Sequence, residues 1–341
     1  MRAIVIREAG GLDKLIATEV EWPRIDAGQV LVRVHATGVC HRDLLDREGK
    51  YPFMRRPIVT GHEFAGEIVE VHPSVTSWKV GERVVNLHRP PCGECEGCRA
   101  GDETLCMGSP YMFGLTVDGS YAEYVAAHAG ALVRMPDVVP YDGACFLMCT
   151  AAVALRALRT HARLVAGETV VITGASGGVG IHAVQVAKIL GARVIALTTS
   201  PAKVEALERA GADDVLVVKA GDFHREVLAR TGGGAAVALE LVGAPTFNSS
   251  LRSLRMGGRM VIVGNVTAER VEVNPGWLIL RQVSVTGSSS ARRQDVEDVL
   301  AWVAAGRLTP IIAGRMPLDG ARAAQELLQQ RGVTGRLVLL P

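Results

Sequence analysis

The sequence predicts an α/β chain in which a small, barrel-like, mostly antiparallel β domain precedes a doubly wound parallel sheet. Three observations carry this expectation: short strands broken by Gly and Pro up to about residue 129, a change of rhythm near residue 150, and strand–helix alternation thereafter. In the first stretch, residues 30–35 (Val-Leu-Val-Arg-Val-His) and 65–71 (Ala-Gly-Glu-Ile-Val-Glu-Val) read as short alternating strands. Residues 169–173 (Thr-Val-Val-Ile-Thr) then form an apolar run suited to a buried strand. A helix follows over 179–190, with apolar residues at three- and four-residue spacing. Further strands are expected at 193–197, 214–218, 237–241, 259–263 and 283–286, with helices between most of them, including 201–210 and 245–254. The tail holds helices at 296–304 and 321–330 and a last strand at 336–340.

The totals narrow the function classes. With 341 residues, 48% hydrophobic content and a net charge of +2, the chain reads as globular, neither disordered nor selected for nucleic-acid binding by charge. Its densest basic points, Arg55-Arg56 and Arg292-Arg293, make no basic stripe. Residues 1–6 read as a strand and not as a signal peptide, and no apolar run reaches the roughly 18 residues that cross a bilayer. Seven cysteines without an export signal point to a reducing, cytoplasmic setting and to metal or thiol chemistry. The expected partner is a small-molecule substrate, with no nucleic acid and no membrane.

Cys92, Cys95, Cys98 and Cys106 form a C-x2-C-x2-C-x7-C run in a lobe at about 88–110. Four thiols so close can surround a tetrahedral Zn²⁺, and such a closed set holds structure without doing chemistry. The surrounding Pro, Gly and Glu are turn residues, so the metal would organise a loop that has no core of its own.

A second signal is Gly174-Ala175-Ser176-Gly177-Gly178-Val179-Gly180, set between the buried strand and the amphipathic helix. There glycines allow a tight turn, close approach of a pyrophosphate and close helix–sheet packing, while the helix N-terminus offers free N–H groups. A nucleotide cofactor is expected. The second strand ends in Thr198-Thr199-Ser200, with Lys203 just beyond, where an acid would bind an adenosine 2′-hydroxyl. Hydroxyls and an ammonium suit a 2′-phosphate, hence NADP(H) over NAD(H). Ser200-Pro201 also reads as an ordinary helix start.

Two segments, Gly38-Val39-Cys40-His41-Arg42-Asp43-Leu44 and Gly61-His62-Glu63-Phe64-Ala65-Gly66, complete the pattern. With the four-cysteine lobe, Asp118-Gly119-Ser120-Tyr121-Ala122-Glu123-Tyr124, the glycine loop and Cys149, they make the chain resemble the zinc-dependent alcohol dehydrogenases of the medium-chain dehydrogenase/reductase superfamily. The resemblance covers essentially the whole length. It implies a GroES-like, mostly-β catalytic domain at 1–150, a Rossmann domain at 151–287, and a segment, 288–341, that returns to the first domain. It also implies two zinc ions per subunit, one structural and one catalytic. Cys40, His62 and Cys149 would be catalytic zinc ligands, Glu63 a near or alternating ligand, and Asp43 a partner orienting the His62 ring. Gly264-Asn265-Val266 and Ser288 would flank the nicotinamide, and Arg336 would meet the pyrophosphate. A homodimer or homotetramer is implied as well.

The chain departs from the alcohol-oxidising pattern where that family places a Ser or Thr and a His to relay the alcohol proton: Arg42 and Leu45 stand there. His88, four residues before Cys92, and Tyr51 are the pocket residues that could serve instead. The Arg42-Asp43-Leu44-Leu45 and 173–183 stretches, with Gly243-Ala244-Pro245-Thr246-Phe247, are similar to the branch holding the archaeal-type acryloyl-CoA reductases. The lead expectation is a zinc-dependent oxidoreductase moving hydride between the nicotinamide and an alcohol or carbonyl. The alternative is reduction of an activated C=C bond in an enoyl thioester or enone. A remote third is a non-catalytic nucleotide-sensing or DNA-binding zinc protein.

Overall fold

A computed structural model describes residues 1–51, 53–218 and 221–341. The chain forms two compact units, Met1–Cys149 with Ser290–Pro341, and Thr150–Ser289.

In the first unit, β1 (Arg2–Ile6), β2 (Ile16–Glu19) and β4 (Ile58–Val59) make a three-stranded sheet with β1 central. A larger sheet is built on β3 (Gln29–Val39), which pairs antiparallel with β5 (Phe64–Val71), β7 (Tyr124–His128) and β16 (Arg336–Leu340). It continues through β6 (Arg83–Asn86) to β8 (Leu132–Arg134), and on the other side through β16 to β15 (Ile312–Pro317). Because side chains alternate along β3, one face supplies Val30, Val32 and Val34 to a core with Phe64, Ile68, Val84, Phe113 and Leu132. The sequence expectation shortened β3 to 30–35. Its continuation, Ala36 to Val39, has small residues that lack an alternating signature, yet all are buried and paired.

The second unit is a six-stranded parallel sheet in the order β11-β10-β9-β12-β13-β14. These are β9 (Thr169–Ile172), β10 (Arg193–Thr198), β11 (Asp214–Val217), β12 (Ala235–Glu240), β13 (Leu254–Ile262) and β14 (Ser284–Gly287). All six residues of β12 are buried, as expected for a strand covered by helices on both faces. The order runs outward in both directions from β9 and β12, which are neighbours, so the sheet has its topological switch point between them. The helices at Gly178–Ile189 and Ala244–Arg252 fall within two residues of expectation. Those at His41–Glu48, His224–Thr231 and Pro275–Arg281 were not anticipated, since each is short and mostly polar or half-exposed.

The helical stretch Tyr141–His161 is long and apolar enough to cross a membrane by length and composition, but 83% of its most apolar window is buried inside the protein. Asp142 and Arg156 interrupt the run when it is read as sequence.

After β9 the glycine loop turns at Gly174 (φ +55°) into the helix Gly178–Ile189. A Cβ at Gly180 would lie 2.3 Å from the Gly174 carbonyl oxygen and 2.6 Å from Ala175 Cα, both backbone atoms that cannot move aside. Gly180→Ala should therefore destabilise the protein by about 1–3 kcal/mol, the usual cost of overpacking, read as a lowered thermal unfolding midpoint.

Candidate functional site

The site in the first unit starts where β3 ends. Cys40 caps the helix His41–Glu48, and its backbone N–H donates to Asp43 Oδ2 at 2.8 Å, the return contact of a capping box. The same carboxylate accepts the Tyr121 hydroxyl at 2.8 Å and lies 2.8 Å, through Oδ1, from His62 Nδ1. Asp43, His62 and Tyr121 have no exposed surface. A carboxylate facing Nδ1 holds the proton there and leaves the Nε2 lone pair for a metal.

His62 and Glu63 sit just before β5, in a turn pinned by two side chains, Asn86 and Thr37. Asn86 Nδ2 donates to the His62 carbonyl at 2.8 Å and Asn86 Oδ1 accepts from Phe64 N–H at 2.8 Å. Thr37 donates to the Glu63 carbonyl at 2.6 Å. Two glycines make room. Gly61 has φ +95°, and a Cβ there would lie 2.2 Å from the Tyr121 ring; a Cβ at Gly38 would lie 2.0 Å from Glu63 Oε2.

Cys149 lies in a π-helical turn, Met148–Ala152, a local widening common at functional positions. Its Sγ is 4.0 Å from Cys40 Sγ and 3.7 Å from His62 Nε2. Ligands at zinc distances on a tetrahedron are separated by about 3.8 Å for two sulfurs and about 3.5 Å for sulfur and nitrogen. The three groups fit a zinc ion. Glu63 Oε1 is 3.8 Å from His62 Nε2, and all four ligand atoms lie within 4.8 Å of one another. Glu63 Oε1 also accepts from Arg336 Nη2 at 2.7 Å, while its buried Oε2 has no partner.

The electrostatics suit a cation. The hydrogen bond from Cys149 holds the Cys40 thiol well below its ordinary pKa against the effect of burial, and Arg336 helps; the Cys149 thiol is pushed up correspondingly by that bond and by burial. Burial lifts the Glu63 carboxyl to about 8 despite Arg336. His88 is pressed well below its ordinary value by burial, then by His62 and Arg42. Its ring centre is 5.3 Å from that of His62, its Nδ1 is 3.1 Å from Ser290 Oγ, and its Nε2 is buried without a partner. Tyr51 is half-buried against an apolar cluster containing Met54 and Leu115.

Cys92, Cys95, Cys98 and Cys106 also converge, with all four sulfurs within 4.8 Å and Cys92 Sγ 3.9 Å from Cys98 Sγ. The backbone N–H groups of Cys92 and Cys95 donate to Cys106 and Cys92 sulfurs at 3.3 and 3.4 Å. None of the seven cysteines is in a disulfide. The set fits a second zinc, with no side for a substrate.

In the second unit the glycine loop, residues Gly174 to Gly180, lies at the C-terminal end of β9. Thr198 ends β10 with its hydroxyl accepting from Ser200 N–H at 3.3 Å, Thr199 is exposed, and Lys203 is partly buried, which lowers its pKa. Gly264, Asn265 and Val266 follow β13, and Ser288 follows β14 with a buried hydroxyl.

Arg336 is 5% exposed, and its guanidinium donates to Glu63 Oε1 and, at 3.5 Å, to the Val39 carbonyl, so β16 carries it to the metal-type cluster. Arg42, at the relay position, bonds to Asp46 Oδ2 at 3.0 Å and the Phe113 carbonyl at 2.9 Å. Asn86 and Thr37, whose hydroxyl lies 2.7 Å from that of Ser120, escaped sequence reading: a lone Asn ending a strand and a Thr inside one carry no signal, whereas Ser120 and Tyr121 stand together in the 118–124 motif.

Residues 26–137 match the alcohol dehydrogenase GroES-like domain, and residues 178–305 match the zinc-binding dehydrogenase domain. The chain is 38% identical over 340 residues to an acryloyl-coenzyme A reductase of Metallosphaera sedula, covering 99% of each protein. It is 36% identical over 324 residues to an alcohol dehydrogenase of Geobacillus stearothermophilus, covering 94% of each. The crystal structure of AibC has a TM-score of 0.94 and 42% identity, over 100% of this chain and 96% of that one.

Asn86→Ala would leave the Phe64 N–H and the His62 carbonyl buried and unpaired. A loss of about 2 kcal/mol or more is expected, measured by chemical denaturation.

Proposed function

Because the chain belongs to the zinc-dependent alcohol dehydrogenase family of the medium-chain dehydrogenases and reductases, and is thus an oxidoreductase, we propose that Cys40, His62 and Cys149 hold a catalytic zinc, and that the enzyme interconverts an alcohol and a carbonyl with NADP(H). The observation carrying this reading is the spacing of the three ligand atoms, which matches a zinc tetrahedron with one position over. When bound, the metal supplies a Lewis acid for a substrate oxygen and the nicotinamide donates or accepts the hydride.

The chain's own residues prepare that chemistry. Asp43 fixes the His62 tautomer and, through the Cys40 N–H, the start of the helix that presents Cys40. Arg336 competes for Glu63 Oε1, so Glu63 serves as a near or alternating ligand. His88 faces His62 and is the residue through which a proton would pass, with Ser290 on its far nitrogen. Cys92, Cys95, Cys98 and Cys106 hold the structural zinc. The glycine loop takes the pyrophosphate. Thr198, Thr199, Ser200 and Lys203, in place of an acid at the end of β10, support NADP(H) over NAD(H). Gly264, Asn265, Val266 and Ser288 belong to the nicotinamide side. A homodimer or homotetramer is supported by β14 at the sheet's outer edge and by exposed Ile279 and Leu280 beside it. Disulfide-free cysteines support a cytoplasmic setting.

A second reading is favoured by the relay position. Arg42 is committed to Asp46 and Phe113 and Leu45 has no exchangeable proton, so neither relay position offers a hydroxyl or imidazole to an alcohol proton. In reduction of an enoyl thioester, hydride goes to the β-carbon and the proton to the α-carbon, so that relay is not required. The similarity to acryloyl-coenzyme A reductase supports the same alternative.

NADPH consumption with aldehydes, ketones, enones, acryloyl-CoA and crotonyl-CoA, with and without a zinc chelator, separates the readings. Chelator-sensitive turnover of aldehydes or ketones, lost in Cys40→Ala, is expected; saturated products from enoyl substrates, indifferent to Cys40→Ala, would overturn the lead. KM for NADPH should be below that for NADH. Metal analysis should give two zinc ions per chain, falling to one in Cys95→Ser, with thermal stability lowered.

A further inference from the structure

The second unit buries a carboxylate that the proposed chemistry does not use. Glu240, the last residue of β12, has no exposed surface. Its Oε1 accepts from Thr173 Oγ1 (2.9 Å), Val242 N–H (2.9 Å), Gly243 N–H (2.9 Å) and Thr246 Oγ1 (2.7 Å), and its Oε2 accepts from Ser250 Oγ. All five donors are neutral, and they come from three places: the end of β9, the loop after β12, and the helix Ala244–Arg252. Burying a carboxylate is costly unless its oxygens are fully bonded. A neutral core pair would hold β9 to β12 at lower cost, so the location of this group needs a reason.

That location is the switch point. β9 and β12 are adjacent, and the crevice outside their carboxyl ends is where a doubly wound sheet receives a dinucleotide. The loop after β9 is tied to its neighbours on both sides. Towards β10, Ala175 N–H donates to the Leu197 carbonyl at 3.0 Å. Towards β12, Thr173 bonds to Glu240, and its oxygen also accepts from Leu241 N–H at 2.8 Å. The loop after β12 is backed in turn by the loop after β13: Val266 N–H donates to the Val242 carbonyl at 2.9 Å, and Gly243, at φ +95°, leaves only 2.6 Å from where a Cβ would be to Asn265 Oδ1.

We propose that Glu240 is a positioning residue for the nucleotide crevice, whose carboxylate sets the loops after β9 and β12 at the spacing the nicotinamide half of the dinucleotide requires. The adenine half, beside β10, is held by the separate Ala175–Leu197 tie. This rests on the reading of the unit as the NADP(H) site.

The prediction is a split. Glu240→Gln removes the charge and replaces one acceptor oxygen by an NH₂ that cannot bond the Val242 and Gly243 N–H groups and can meet Ser250 only by making that hydroxyl the acceptor. Thr173→Val removes one arm of the network, together with the acceptor of the Leu241 N–H, with little change in side-chain shape. Both variants should bind NADPH about tenfold more weakly, as for loss of one hydrogen bond to a charged group, while binding 2′,5′-ADP within about twofold of the wild type. Titration by tryptophan fluorescence and calorimetry on the zinc-loaded enzyme reads both. Unchanged NADPH affinity in Thr173→Val, or equal loss of both ligands, would overturn the proposal, the second result marking a merely structural role. A wild-type protein that binds neither NADPH nor NADH would instead overturn the cofactor reading on which it rests. Thr173→Val keeps the test available if Glu240→Gln fails to fold.

Discussion

The Asp43 carboxylate is the contact on which the first unit's site depends. It joins a helix start, an imidazole and a phenol, three groups brought together from residues 40, 62 and 121, and all of them are buried. Each bond satisfies a donor that burial would otherwise leave unpaired. Removing the carboxylate would therefore loosen Cys40 and His62 together, since one supplies a ligand through the helix cap and the other through its ring. Glu63 is the counterpart: it stands against Arg336 and keeps one oxygen unpartnered. The buried side chains in this region thus balance charge around a space whose donor set suits a divalent cation.

Glu240 repeats the device in the second unit with a different purpose. Asp43 gathers side chains around a reacting centre, whereas Glu240 gathers backbone loops around a crevice. In both places a single acceptor-only group collects several donors, and the low-dielectric surroundings strengthen each bond. Sheet geometry makes this necessary. Strand ends present unpaired N–H groups, and at a switch point the helices that would cover them diverge.

Much of the candidate site was legible because its ligands sit in local motifs. Cys92, Cys95, Cys98 and Cys106 fall within fifteen residues, and their convergence follows from spacing alone. Gly174 to Gly180 was equally readable, since the turn at Gly174 and the close contact at Gly180 need glycine for local reasons. Cys40 with Asp43 stood together in one short segment, though the capping contact between them appears only in the structure. The pairing of Arg336 could not be read from its own surroundings. Its partner, Glu63, is 273 residues away, and only the pairing of β16 with β3 brings the two together. Asn86 was silent for a similar reason, since its function is to hold the turn of another strand pair.

By itself the sequence determined the two-part α/β organisation, the cysteine and glycine motifs, and the vacancy of the relay positions at Arg42 and Leu45. These are matters of residue type and short spacing, which periodicity, turn chemistry and ligand softness translate into structure. The tertiary structure decided which buried charges face one another: Arg336 with Glu63, Asp43 with His62 and Tyr121, Glu240 with the loops of two strands. Such pairings depend on strand register and on long-range closure, and a charge buried by folding must take whichever partner the packing places within reach.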